Sequence, residues 1–257
     1  MKKLIVIMAS FIMLSLIAFA QDGIKRGAGV YGSFNINMHE TDFSQLPNVP
    51  NCCPRFSSGE GNGFSAGLFY ELPLSDNLSG QLRLGFCSIK GDLSEIENEY
   101  IIYNDQLETA EIEHLLTADI SALTFGLYSR FLVIEGLSLL AGVNAGFPMS
   151  KKYTQSETLV KPVNYGVFEN GRRTRNESEG DIEGISSLFL FLDVGISYDI
   201  PLNKRKSLYM SPEIFYSFML NDVLKDENWQ INSIRIGLNF RYSIGYEFAS
   251  PLKPETD

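Results

Sequence analysis

The stretch Leu188-Phe189-Leu190-Phe191-Leu192-Asp193-Val194-Gly195-Ile196-Ser197-Tyr198-Asp199-Ile200 decides the fold. Successive side chains of an extended strand point to opposite faces. Leu188, Leu190, Leu192, Val194, Ile196, Tyr198 and Ile200 therefore share one face, opposite Phe189, Phe191, Asp193, Gly195, Ser197 and Asp199. The last such segment repeats the pattern. Ile234, Ile236, Leu238, Phe240, Tyr242, Ile244, Tyr246 and Phe248 alternate with Ser233, Arg235, Gly237, Asn239, Arg241, Ser243, Gly245 and Glu247. Both segments predict strands with one apolar and one polar face.

Working outward, comparable alternation recurs near residues 28–37, 63–73, 78–88, 117–133, 137–150 and 207–220, which predicts eight strands in all. Several exceed the usual length of soluble strands and suit tilted crossings of a bilayer, whose core takes about 9–11 strand residues. Their connections alternate between long (38–62, 89–116, 151–187) and short (74–77, 134–136, 201–206). Long loops at one end and tight turns at the other characterise an outer-membrane barrel. The strand 64–72 has a lipid-like face (Phe64, Ala66, Leu68, Tyr70, Leu72) against Gly63, Ser65, Gly67, Phe69 and Glu71. A soluble barrel of the lipocalin kind would turn its apolar face inward instead. The expectation is an all-β, eight-stranded, antiparallel, transmembrane up-and-down barrel, monomeric, with long loops outside and both ends in the periplasm.

The 257 residues carry a net charge of -10, which disfavours a nucleic-acid partner, since phosphate binding requires a basic surface. Lys2 and Lys3, the apolar run Leu4–Phe19 and Ala18-Phe19-Ala20 read as a signal peptide over residues 1–20 cleaved after Ala20. No cysteine follows the site, so no lipid anchor is expected, and no later apolar run is long enough for a membrane-spanning helix. The expected division is a signal peptide (1–20), a barrel (21–248) and a short periplasmic tail (249–257), in the outer membrane of a diderm bacterium.

Charges on the polar face point to the state of the lumen. Glu71, Asp193 and Glu213 are matched by Arg83, Arg130, Arg235 and Arg241. An eight-stranded barrel is just wide enough for side chains to fill, and buried charges must be paired and hydrogen-bonded. A plugged interior is therefore expected, with a narrow porin-like path as the alternative.

The segments Asn51-Cys52-Cys53-Pro54-Arg55-Phe56, Gly61-Asn62-Gly63-Phe64-Ser65-Ala66-Gly67-Leu68 and Tyr70-Glu71-Leu72-Pro73-Leu74-Ser75 resemble the small outer-membrane β-barrel family of Bacteroidota-type bacteria, an OmpA-like or OmpX-like, porin-family barrel. Pro212-Glu213 within Leu208–Tyr216 shares the resemblance. The resemblance covers essentially the whole exported chain and implies location and fold far more than activity. Longer members carry a C-terminal peptidoglycan-binding domain, which the short tail after Phe248 does not provide for.

Cys52 and Cys53 in the first outward loop and Cys87 near the outer end of the third strand predict one disulfide in an oxidising envelope, with free thiols or a metal as alternatives. No His, Asp or Glu cluster sits at ligand spacing beside them, so no metal or cofactor is expected. His39, with Glu40, Asp42 and Ser44, and His114, with Glu113, are placed at the outer rim. A rim enzyme acting on envelope lipid would need the two brought together, and without a nucleophile motif no catalytic residue is expected. Asn170-Gly171 predicts a hairpin tip whose Arg172, Arg173 and Arg175 would reach surface anions such as lipopolysaccharide phosphates. The acidic segment Gly91–Glu113 is expected to be solvated; within it Ile96–Glu111 alternates about Asn104-Asp105 and reads as a hairpin extending the third and fourth strands upward, which would make ten strands if it entered the membrane, though its charge argues against that. Trp229, Tyr31, Tyr153 and Tyr209 are expected in interfacial girdles. The predicted partners are outer-membrane lipid, lipopolysaccharide, the barrel-assembly machinery and an extracellular ligand of the loops.

Overall fold

The computed structural model describes residues 26–47, 49, 55–103 and 106–244. The export segment, Cys52, Cys53, Tyr246, Phe248 and the tail lie outside the described residues. Those residues form eleven strands: β1 (Arg26–Phe43), β2 (Phe56–Pro73), β3 (Leu78–Ser88), β4 (Gly91–Tyr103), β5 (Gln106–Ile134), β6 (Leu137–Lys161), β7 (Thr174–Asp181), β8 (Phe189–Tyr198), β9 (Ile200–Pro201), β10 (Leu208–Met219) and β11 (Trp229–Ile244). No helix forms among them.

Eight strands close a ring in the order β1-β2-β3-β5-β6-β8-β10-β11, every neighbour antiparallel. Closure comes from β1 running against β11 without a break in register, from Arg26↔Ile244 to Thr41↔Trp229. A closed ring has no edge and satisfies its own backbone, the condition for a sheet in a bilayer. The remaining strands are accessory: β4 continues the course of β3 past Ile89-Lys90, β7 pairs along β6 beyond β8, and β9 continues β8 past Asp199.

The period-two alternation sorts inside from outside. In β8, Leu190, Val194, Ile196 and Tyr198 are exposed, whereas Phe189, Phe191, Asp193 and Ser197 are buried. In β11, Ile236, Leu238, Phe240 and Tyr242 lie outside, and Ser233 and Asn239 inside. On β5 the outward apolar positions run from Leu123 to Val133, about 25 Å along the barrel axis at about 3.3 Å per residue and a tilt near 40°. Glu40, Glu60, Asp119 and Lys152, all exposed, end this belt at its upper rim.

The strand lengths and the aromatic girdle are corrected here, while the acidic hairpin stands above the ring of eight as expected. The strands outrun the membrane: β5 has 29 residues and β6 has 25. Their upper halves join β4 and β7 in a sheet standing above the belt, so the acidic hairpin adds no spanning strands to the ring of eight. The girdle assignment also fails. Tyr31 faces inward beside Arg83, Tyr209 lies inside over Arg241, and Tyr153 and Trp229 are buried in the upper core. Each has inward parity on its strand, and the outward aromatics include instead Phe34, Phe64, Phe131 and Phe147, with Tyr198 and Tyr242 near the turn end.

Candidate functional site

The lumen is filled in layers, beginning at the end where the tight turns lie. Arg130 (β5) donates to Glu71 (β2) at 3.0 Å and to Asp199, between β8 and β9, at 2.6 Å. Arg241 (β11) donates to the same two carboxylates at 2.6 and 2.5 Å, closing a four-membered ring of alternating charge across the barrel. Ser79 and Gln81 also donate to Glu71, and Ser211 to Asp199. Asp199 was legible only as a member of the polar face. It shares the inward parity of Asp193 and Ser197.

Above this ring Arg83 (β3) spans the lumen to Glu213 (β10) in a two-pronged contact, Nη1 to Oε1 at 3.0 Å and Nη2 to Oε2 at 2.9 Å. Both side chains are almost wholly buried. Asn239 supplies a further donor to Glu213 at 3.0 Å, and Gln81 accepts from Arg83. The guanidinium carbon lies 5.0–5.8 Å from the ring centroids of Tyr31, Phe69, Tyr128 and Phe215. This is the range of cation–π attraction, and the fork geometry of arginine matches a carboxylate. The Cβ position of Gly142 would lie 2.5 Å from the Tyr128 ring, so the bare backbone there makes room for that ring.

The next layer is Asp193 (β8), fully buried, which pairs with Arg235 at 2.6 Å and accepts from Tyr128 at 2.5 Å and from Ser217. The seven charges singled out from the sequence, with Asp199, thus make four arginines facing four carboxylates. Higher still, Asn35 donates to Ser65 at 2.8 Å and Ser233 to Asn37 at 2.9 Å. Cys87 lies at this level as a free, buried thiol 3.6 Å from the Asn35 amide nitrogen. Cys52 and Cys53, the partners expected for it, lie outside the described residues. Cys87 pairs across to Ser65 and Ala122 and faces the lumen, not the loops.

At the outer end the filling becomes apolar. Phe43, Leu46, Phe56, Leu93, Leu116 and Trp229 belong to one buried cluster, with Ile182 and Leu224 from the outward loops packed into it. Trp229 is fully buried and donates its indole N–H to His39 Nδ1 at 3.1 Å. His39 stands above the belt. Burial pushes its imidazole down to about 4, against the opposing pull of the Lys90 carbonyl and Asp92. It is therefore neutral at pH 7, as acceptance through Nδ1 requires. Its ring lies directly over Gly91, where a Cβ would come 2.2 Å from Nε2.

The two histidines are not brought together. His114 lies further out along β5, with Nε2 3.2 Å from Glu97 and Nδ1 3.9 Å from the buried Glu157. The three arginines expected at the surface are also engaged within the chain. Arg173 donates to the carbonyls of Leu159, Pro162, Tyr165 and Gly166. Arg175 pairs with Glu157 and Glu99 and stacks on Phe168, and Arg172 pairs with Glu177. The Asn170-Gly171 turn forms, but the loop folds back on the sheet and its guanidiniums satisfy local acceptors.

No protein-family model matches this sequence, and no curated protein matches it. Among solved structures it is similar to Ail, the attachment invasion locus protein of Yersinia pestis, at 11% identity over 86% of this chain and 100% of that one, with a TM-score of 0.35. Neisserial surface protein A matches at 10% identity over 84% and 97% of the two chains, with a TM-score of 0.36. The outer membrane protein AlkL matches at 13% identity over 92% and 96%, with a TM-score of 0.36. These are small outer-membrane β-barrel proteins. The assignment of a closed barrel to this chain rests on its own strand register.

Proposed function

We propose that this chain is a non-conducting outer-membrane barrel that anchors and presents a surface sheet. The observation that carries this reading is the stacked filling of the lumen: charge ring, bidentate pair and apolar cap lie in series between the two mouths. Each layer is closed by direct side-chain contacts, and a layer of paired charges or packed rings leaves no continuous path for hydrated ions. The apolar belt takes outer-membrane lipid, and lipopolysaccharide packs against its charged upper rim. The sheet β4-β5-β6-β7 stands clear of the bilayer, where recognition residues commonly sit on a rigid scaffold. No catalytic role is assigned, since His39 and His114 belong to separate clusters.

Conductance across a planar bilayer tests the reading. The refolded wild type is expected to give no single-channel steps, and Arg130→Ala no more than brief, small openings while the layers above it hold. Stable steps from the wild type would overturn the sealed lumen and make the pore primary.

A further inference from the structure

The outward hairpin Gly91–Glu113 has no Lys or Arg, whereas the opposite end of the barrel gathers cations. The turn between β9 and β10 holds three in succession, Lys204, Arg205 and Lys206, all exposed. Asn203 fixes the shape of this turn. Its side chain accepts from the Ser207 amide at 2.9 Å and donates to the Ser207 hydroxyl at 2.8 Å, and the Lys206 amide donates to the Asn203 carbonyl at 3.0 Å. On β11 the Ser243 amide donates to the Ser207 carbonyl and Ile244 faces Arg26 of β1, which sets Arg26 two strand spacings, about 10 Å, from the turn. Lys206 reaches Glu135 of the β5–β6 turn at 3.5 Å. Arg26, Lys204 and Arg205 have no ion-pair partner among the described residues.

Beside these cations the outer wall is apolar. Leu202, Leu208, Tyr242 and Ile244 are exposed, and Leu208 and Tyr242 sit opposite each other on β10 and β11. They form the lower margin of the lipid belt, where a tyrosine ring sits at the depth of the headgroups. A ligand that meets both the cations and this margin carries an anion on an acyl body. A soluble anion, or a carboxylate-bearing polymer beyond the membrane, would meet the cations alone. Ammonium and guanidinium groups favour phosphate, arginine through a two-pronged contact, and cations held near a membrane surface attract anionic lipid.

We propose that the β9–β10 turn, with Arg26, is a binding site for the phosphate of an anionic phospholipid in the leaflet at the turn end. The phosphate lies against Lys204, Arg205 and Arg26, and the acyl chains run up over Tyr242 and Leu208. Because Asn203 already holds the turn, its cations are presented without a further cost of ordering the loop. The site also fixes orientation, with the cationic turn against phospholipid and the acidic hairpin at the other surface. This proposal rests on the membrane-anchor reading above and names the lipid that the anchor selects.

The test uses the full chain in phosphatidylcholine vesicles with a trace of phosphatidylglycerol or phosphatidylcholine spin-labelled on its acyl chain. Electron spin resonance reads the fraction of label whose motion the protein restricts. The phosphatidylglycerol label is expected to associate about threefold or more strongly than the phosphatidylcholine label, averaged over the lipid shell. Lys204→Gln with Arg205→Gln, both exposed, is expected to remove most of this preference with the barrel still folded. Lys151→Gln with Lys152→Gln, at the opposite rim where Asp119 and Asp181 flank Lys152, is expected to leave it unchanged. Glycerol phosphate at matched ionic strength is expected not to displace the lipid. Equal association of the two labels, a preference that survives the turn variant or falls only with the rim variant, or full displacement by glycerol phosphate would overturn the site and leave the anchor reading standing. Absence of a restricted fraction for either label would overturn both.

Discussion

Glu213→Ala is expected to lower the unfolding free energy by about 3–5 kcal/mol, because it strands the Arg83 guanidinium inside the barrel without its carboxylate. The surrounding rings of Tyr31, Phe69, Tyr128 and Phe215 attract a cation but accept no hydrogen bond from it comparable with the lost pair. Urea unfolding in lipid vesicles measures this loss. The pair itself need not be strongly stabilising, since removing two charges from water offsets much of their attraction. Arg83→Met with Glu213→Leu is therefore expected to recover most of the stability. That recovery would assign the pair to filling and register, whereas a conducting role would require the charges themselves.

Trp229→Ala is the second large effect, expected at about 3–5 kcal/mol, the usual cost of deleting a large, fully buried side chain. Trp229 packs on Phe43 at 5.4 Å between centroids and holds His39 through its N–H, so the cavity opens in the middle of the apolar cap. The loss is expected to be local. Amide exchange should quicken in the upper parts of β1 and β11, while β3 around Gln81–Gly85, stabilised by the charge layers, stays protected. Uniform acceleration through the barrel would show that cap and charge layers unfold as one unit.

The sequence was most legible where one face of a strand is lipid and the other a polar lumen. Val194, Ile196, Leu238 and Phe240 against Asp193, Ser197, Arg235 and Asn239 show the sides without ambiguity. Legibility fell where both faces carry apolar residues. Phe189 and Phe191 point inward into the cap, yet their neighbours Leu190 and Leu192 point to lipid, so parity alone does not mark where the filling turns apolar. The cap also draws on Leu46, Ile182 and Leu224, which lie on separate loops and have no period to detect. The upward extension of the third and fourth strands was legible in Ile96–Glu111, whereas the upper part of β6 was hidden for a related reason. It stands in water above the belt, and Lys151, Lys152, Gln155, Ser156 and Glu157 lack the apolar alternation that identifies a spanning strand. The acceptors of Arg173 were not legible because a charged hairpin tip reads as solvated, while the backbone carbonyls that it satisfies appear only once the loop folds back.

The central claim is that the apolar face meets lipid and the charges fill the inside. Nitroxide labels read this most directly, one at a time at Leu68, Val194 and Leu238 in the belt and at Glu60 and Asp119 above it, in lipid vesicles. The account predicts that the belt labels are relaxed by oxygen, which concentrates in the bilayer, and the upper labels by a water-soluble nickel chelate. Belt labels relaxed chiefly by the chelate would contradict it and place this barrel in water.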